Sequence, residues 1–326
     1  MPEPIEAEGF LFINDPHLAS RRPGKRCDRD YAATVLGKLE QAIDIANRER
    51  LVPVFGGDMF HNARESDETL KTKLVRVLSG SWTVPFSNVG SHDCDGLRLS
   101  DADSLSVIAE SGRILKVFRE TGPAAEFLMQ GVRVGLGFSP ARQEIPVDVT
   151  GLFPEAAGVV WVTHHDVAFD GAYPGAVDPF EIAGCAMVWN AHMHLEKEQI
   201  GVGGTTWFNC GNITRTAIDA IAHEPSVWQF SPGTGMLTRH RLSFAAEVFD
   251  LTSRLIDESS HGAADDADHG RFVELLKADL EAAPAATADG AYLKDEILAR
   301  FAEEKTPLPV QATILSLLDG VVSAAV

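Results

Sequence analysis

Cysteine is scarce and scattered. Cys27, Cys94, Cys185 and Cys210 show no CxxC spacing, so the reading is reduced thiols in a cytoplasmic protein rather than a disulfide framework. Long apolar runs are missing too. A stretch such as Gly158-Val159-Val160-Trp161-Val162 is far too short to cross a bilayer, and no membrane association is expected. The acidic start Met1-Pro2-Glu3-Pro4-Ile5-Glu6 lacks the basic and apolar segments of a signal peptide. Basic charge is in deficit: 28 Lys and Arg stand against 47 Asp and Glu, for a formal net charge of -19. That argues against a broad basic face that grips nucleic acid. No internal repeat is visible. The remainder is ordinary, with 45% hydrophobic and 23% charged residues in 326, which suits one large α/β domain with a small appendage.

What the chain does have is histidine in a particular arrangement. Asp15 and His17 lie in Asn14-Asp15-Pro16-His17, and Asp58 and His61 in Gly56-Gly57-Asp58-Met59-Phe60-His61. His92 and Asp93 follow Gly90-Ser91, His164 and His165 follow Val162-Thr163, and His192 and His194 form Ala191-His192-Met193-His194. Four of these clusters follow an apolar run that reads as a strand, and the one at Ser91 follows a shorter, more polar run. Side chains at strand ends can converge on one place. Lone histidines such as His223 and His240 read instead as surface or packing residues, and His261 and His269 as parts of a solvated linker.

The first half alternates strand and helix. Strands are predicted at 10–13, 51–55 and 84–89, with helices at 31–50 and 67–78, where apolar residues recur at helical spacing. This is the pattern of a mostly parallel sheet with its site at the carboxyl edge. Strands follow at 114–118, 126–129, 132–138, 159–162 and 186–189, the last two delivering His164 and His192. Further strands at 199–202, 205–209, 227–230 and 236–242 are assigned to a second sheet. The boundaries are a domain at 1–250, an acidic linker at 251–271 and a helical docking or dimerising module at 272–326.

Oxygen-rich sites with imidazole suit manganese, magnesium, iron or zinc. A carboxylate shared by two such ions holds them roughly 3.5–4 Å apart, and the ions clamp a phosphoester oxygen. The residues also resemble a family. From residue 9 to about 215 the order DxH, GD, GNH(D/E), H, GHxH is similar to that of the calcineurin-like metallophosphoesterase superfamily. The chain most resembles its SbcD-type double-strand-break repair nucleases, through Gly57-Asp58-Met59-Phe60-His61 and the turn Gly211-Asn212-Ile213-Thr214-Arg215.

The resemblance implies a four-layer sandwich of two mixed sheets flanked by helices. It implies two divalent ions, manganese by preference. Asp15, His17, Asp58 and His194 would hold the first, and Asp58, Ser91, His164 and His192 the second. His61 and His92 would face the phosphate, His92 as proton donor to the leaving oxygen, with Asp93 and His165 behind the ligands. It implies a DNA phosphodiesterase using two-metal activation of water, acting as a dimer with an SbcC-type ATPase. Two bound dications would reverse the local sign of an acidic chain, and a partner could supply a basic groove. The dense basic segment Arg21-Arg22-Pro23-Gly24-Lys25-Arg26 is either a DNA backbone contact or a solvated loop.

Two positions depart from the family pattern. Ser91 stands where the family has asparagine, and a hydroxyl is the shorter and poorer neutral ligand. Ala191 replaces the glycine of GHxH. The rival readings are a phosphodiesterase or phosphatase for small molecules such as cyclic nucleotides, and a metal-binding scaffold that has lost turnover.

Overall fold

The computed structural model describes residues 4–110 and 113–250. The linker at 251–271 and the helical module at 272–326 lie outside the described residues. Among those described, the chain runs β1 (Ile5–Ala7), β2 (Gly9–Ile13), α1 (Tyr31–Glu49), β3 (Leu51–Phe55), α2 (Glu68–Ser79), β4 (Phe86–Ser87), α3 (Ser104–Ala109), β5 (Lys116–Val117), β6 (Gly122–Met129), β7 (Val132–Ser139), β8 (Gly158–His164), β9 (Met187–Ala191), β10 (Glu196–Val202), β11 (Thr205–Cys210), a 3-10 turn (Ile218–Ala220), β12 (Ser226–Ser231) and β13 (Met236–Arg241).

The apolar runs are continuous because their strands are buried on both faces. In β2, Phe10 and Phe12 face one core while Leu11 and Ile13 face another. In β8, Val160 and Val162 face inward between the sheets, and Val159 and Trp161 face outward into a third cluster. Period-two alternation therefore carries apolar residues on both sides. Asp30 starts α1 by accepting the Ala33 N–H at 2.9 Å, and Asp67 starts α2 by accepting that of Leu70 at 3.0 Å. Buried Val35, Leu39, Ala42 and Ala46 of α1 pack against the outer side of the first sheet.

The architecture is an α/β sandwich of two mixed sheets. One has the order β13-β12-β2-β3-β4-β5, the other β1-β6-β7-β8-β9-β11-β10. Strands β2 to β5 run parallel in the first, and β7, β8, β9 and β11 in the second. Phe12 stacks on Trp189 across the layer, with ring centroids 3.9 Å apart. The α1, α2 and α3 side covers the first sheet, and irregular chain around Val149, Phe153 and Ile182 covers the outer face of the second.

The late strands divide between the sheets instead of forming one of their own. β11 is buried through Trp207, Phe208 and Cys210 and lies between β9 and β10, whereas β12 pairs with β2. The short helix α3 leaves no trace in the sequence pattern, because six residues give too little period to see.

Candidate metal centre

Every histidine cluster lies at or just past the carboxyl end of a parallel strand. Asp15 and His17 follow β2, Asp58 follows β3, Ser91 and His92 follow β4, His164 ends β8, and His192 and His194 follow β9. The loops are fastened to one another before any side chain is considered. The His17 N–H donates to the Asp58 carbonyl at 2.9 Å and the Leu18 N–H to that of Met59 at 2.9 Å. The Asp93 carboxylate accepts from the N–H groups of Gly90 at 2.8 Å and Phe60 at 3.2 Å. Across the two sheets, Asn14 donates to the Asn190 carbonyl at 2.8 Å and accepts from the Trp189 indole at 3.2 Å.

This fastening holds a strained backbone. Asp15, His17, Asp58 and His192 all have positive φ, at 48°, 46°, 51° and 77°. Such conformations cost side-chain-bearing residues about 1–3 kcal/mol each and persist only where the surroundings dictate them. Two glycines make the close approach feasible. A Cβ at Gly90 would lie 2.1 Å from Asp58 Oδ1, and one at Gly57, where φ is +120°, would lie 2.6 Å from His164 Nδ1. Gly56 leaves room for the Ala191 methyl, since a Cβ there would meet it at 2.5 Å. The alanine in place of the family glycine is thus accommodated by a neighbouring glycine.

Asp58 Oδ2 lies 3.3 Å from His164 Nε2 and 3.6 Å from His17 Nε2. Its other oxygen accepts the His92 N–H at 2.7 Å. His17 Nε2 is 3.0 Å from His194 Nε2. The Asp15 carboxylate accepts the His192 N–H at 3.1 Å and lies 3.7 Å from His164 Nδ1. Ligand atoms of Asp58, His164 and His192 lie within 4.8 Å of one another, as do those of His17, His61 and His92. The rings of His61 and His92 stack at 5.3 Å, which brings the two expected phosphate-facing residues beside His17.

The remote ring nitrogens are held by the chain. His164 Nδ1 faces the Gly56 carbonyl at 3.1 Å, His92 Nδ1 the His61 carbonyl at 2.8 Å, and His194 Nδ1 the Thr216 hydroxyl at 3.2 Å. A proton fixed on one imidazole nitrogen leaves the other lone pair for a cation.

Burial opposes the charge of Asp58, but His164 and His17 more than offset it and hold the carboxyl well below its usual range. Burial pushes Asp15 up to about 7, with His164 opposing and the Asp58 charge adding. Asp93 likewise rises to about 7, through burial and then Asp58. Burial works against a charged His164, yet Asp58 and Asp15 carry it up to about 9. Burial takes His17 well below its ordinary value against the pull of Asp58. Three buried carboxyls this close need protons or cations among them. Buried Asp58 Oδ2 and His164 Nε2, 3.3 Å apart, have no hydrogen-bond partner, and neither has His17 Nδ1. An orphaned imidazole nitrogen facing an orphaned carboxylate oxygen is what a divalent cation requires, so these residues fit a divalent metal.

Other expected residues stand apart. His165 turns away, its Nε2 facing the Gln143 carbonyl at 2.8 Å, and burial lowers it to about 4. Ser91 is half-buried after Gly90. Arg21, Arg22 and Lys25 are exposed. Arg26 differs from the expected DNA contact: it points inward, pairs with Asp28 at 2.7 Å and donates to the Thr214 and Arg215 carbonyls, so no N–H face is left for a phosphate. Sequence reasoning misses Asp166 and Thr216. Asp166 lies 3.3 Å from His192 Nε2. Its position directly after His164-His165 is the one available signal, and Thr216 carries none.

No protein-family model matches the chain, and no curated protein is detectably similar in sequence. Among solved structures, the chain is similar to a 5'-nucleotidase precursor from Thermus thermophilus. The TM-score is 0.44 and identity 12%, covering 77% of this chain and 57% of that one. It is also similar to a hypothetical protein from the same organism, with TM-score 0.39 and 10% identity, covering 72% of this chain and 99% of that one. Against the nucleotidase precursor, then, the chain spans little more than half the length.

Proposed function

We propose that the chain is a metal-dependent phosphoester hydrolase of the calcineurin-like superfamily, acting on DNA phosphodiesters in the manner of SbcD-type nucleases. One observation carries this reading: Asp58 Oδ2 lies 3.3 Å and 3.6 Å from imidazole nitrogens delivered by two different sheets, with hydrogen bonds to neither. Asp15, His17, Asp58 and His194 would hold one divalent cation, and Asp58, Ser91, His164 and His192 the other. Manganese is preferred, and magnesium, iron or zinc suit the same donors. When bound, such a pair polarises a phosphoryl oxygen and supplies a nucleophilic water.

The chain's own residues supply the rest. His92 is exposed at the strand ends, and its Nδ1 is committed to the His61 carbonyl at 2.8 Å. That leaves Nε2 as the ring nitrogen that can hand a proton to the departing sugar oxygen. His61 stacks on it and keeps the ring in that orientation. A depression lined by Arg21, Arg22 and Arg29, with Asp28, Asp30 and Tyr31, adjoins the centre, because the Tyr31 hydroxyl donates to the His17 carbonyl at 2.9 Å. It suits a phosphate backbone leading to the cluster. An SbcC-type ATPase and a second copy of the chain are the proposed partners; the basic groove would come from the ATPase, since a second copy repeats the net charge of -19.

The test is manganese-supported hydrolysis of linear duplex DNA, single strands, cyclic nucleotides and a nitrophenyl phosphodiester, with metal content measured alongside. Cutting of DNA with two cations per chain is expected. Turnover of small esters with DNA untouched, partner included, would shift the substrate class to small molecules. Less than one cation and no turnover on any ester would leave a scaffold.

A further inference from the structure

The second-ion position is short of a donor, because Ser91 offers a hydroxyl where the resembling family has a carboxamide. Next to that position lies a carboxylate with no assigned role. We propose that Asp166 is a positioning residue for this position, fixing His192 so that its remaining nitrogen is presented to a cation; this rests on the hydrolase reading above.

Asp166 Oδ2 is 3.3 Å from His192 Nε2. His192 is half-buried, and its backbone N–H is already tied to Asp15. Its ring is therefore the one movable part, and a carboxylate at Nε2 decides both its orientation and where its proton sits. Asp166 is itself held in place. Its Oδ1 accepts from the Tyr173 hydroxyl at 3.0 Å, and its carbonyl accepts the Val177 N–H at 2.8 Å. The following Val167 is buried and bridges to Val177, closing the 166–177 loop. Lys197 of β10 pairs with Asp170 in the same loop. The loop thus acts as a clamp that carries one carboxylate to one imidazole.

His164 and His194 have their remote nitrogens fixed by a carbonyl and a hydroxyl. The Asp15 carboxylate stands 3.7 Å from His164 Nδ1, whereas Asp166 is within hydrogen-bond distance of His192 Nε2, at 3.3 Å. A charged acceptor is the stronger partner for orienting the ring it holds. His192 shares its expected donor set with Ser91, the weakest expected ligand.

The test is calorimetric titration of manganese into the purified chain, with visible absorption of bound cobalt as a second readout. The wild type is expected to take up two cations with unequal affinities. Asp166→Asn should weaken the looser one about 10–100-fold and leave the tighter one unchanged. Asp166→Glu should retain most of the affinity, Tyr173→Phe should fall between, and Ser91→Asn added to Asp166→Asn should recover part of the loss. Wild-type affinities in Asp166→Asn, or equal losses at both positions, would overturn the assignment. So would a wild type that binds a single cation. A wild type that binds none would overturn the hydrolase reading itself.

Discussion

Asp58 has to stay ionised where burial opposes its charge. The imidazoles of His164 and His17 make that feasible, and the same burial drives Asp15 and Asp93 toward the protonated state. A cation would substitute for those protons, so loading with metal releases them. His92 is different: it is exposed, its backbone N–H serves Asp58, and its Nδ1 faces the His61 carbonyl. Its chemistry can therefore be removed without dismantling the donor sets. His92→Gln is expected to lower turnover about 10²–10⁴-fold, the usual worth of a positioned proton donor. Metal content measured on the same sample should not change.

At the scale of elements, α1 does more than cover a sheet. Lys38 projects from it into the core and donates to the Ile213 carbonyl at 2.6 Å, in the turn that ends at Arg215. That turn also fixes Asp15 and His194, through Thr214 at 3.4 Å and Thr216 at 3.2 Å. Burial pushes Lys38 down to about 7, and Arg26 and Arg215 add to the effect. The native state therefore binds fewer protons than the unfolded chain between about pH 7 and the ordinary lysine value of 10.5. The Lys38 contribution to stability should rise with pH across that window, by at most about 1.4 kcal/mol per pH unit, with its penalty complete below it. His164, raised from 6.5 to about 9, acts in the opposite direction over the lower part of the window, so urea denaturation of wild type and Lys38→Met at several pH values isolates the Lys38 slope as their difference. Lys38→Met also leaves the Ile213 carbonyl unpaired at a cost of about 1–3 kcal/mol.

For the whole molecule, the centre exists only because two sheets pack in one register. Phe12 and Trp189 stack at 3.9 Å, one residue from Ile13 and two from Ala191, the strand ends that launch Asp15 and His192. Phe12→Ala is expected to cost about 3–5 kcal/mol in a denaturant titration. If the register loosens, affinity for cations should fall with it, although Phe12 touches no ligand. The net charge of -19 acts at this scale too, since it disfavours a polyanion everywhere except where cations or the Arg21 and Arg22 loop reverse the sign.

The strands that carry the histidine clusters were legible because burial on both faces forces unbroken apolar runs, and the clusters end those runs. The α1 and α2 helices were legible from apolar spacing and from Asp30 and Asp67 at their starts. The choice of His164 over His165 came from the family resemblance and not from local pattern, because adjacent strand residues point to opposite faces and only packing says which face holds Asp58. Arg26 read as one more cation in a basic run, and its inward turn depends on Asp28 and on carbonyls nearly two hundred residues away. The division of the late strands between the sheets and the contact of Asp166 with His192 were likewise decided in space. Local pattern encodes which residues share a face; which faces meet is fixed only when distant segments compete for the same core.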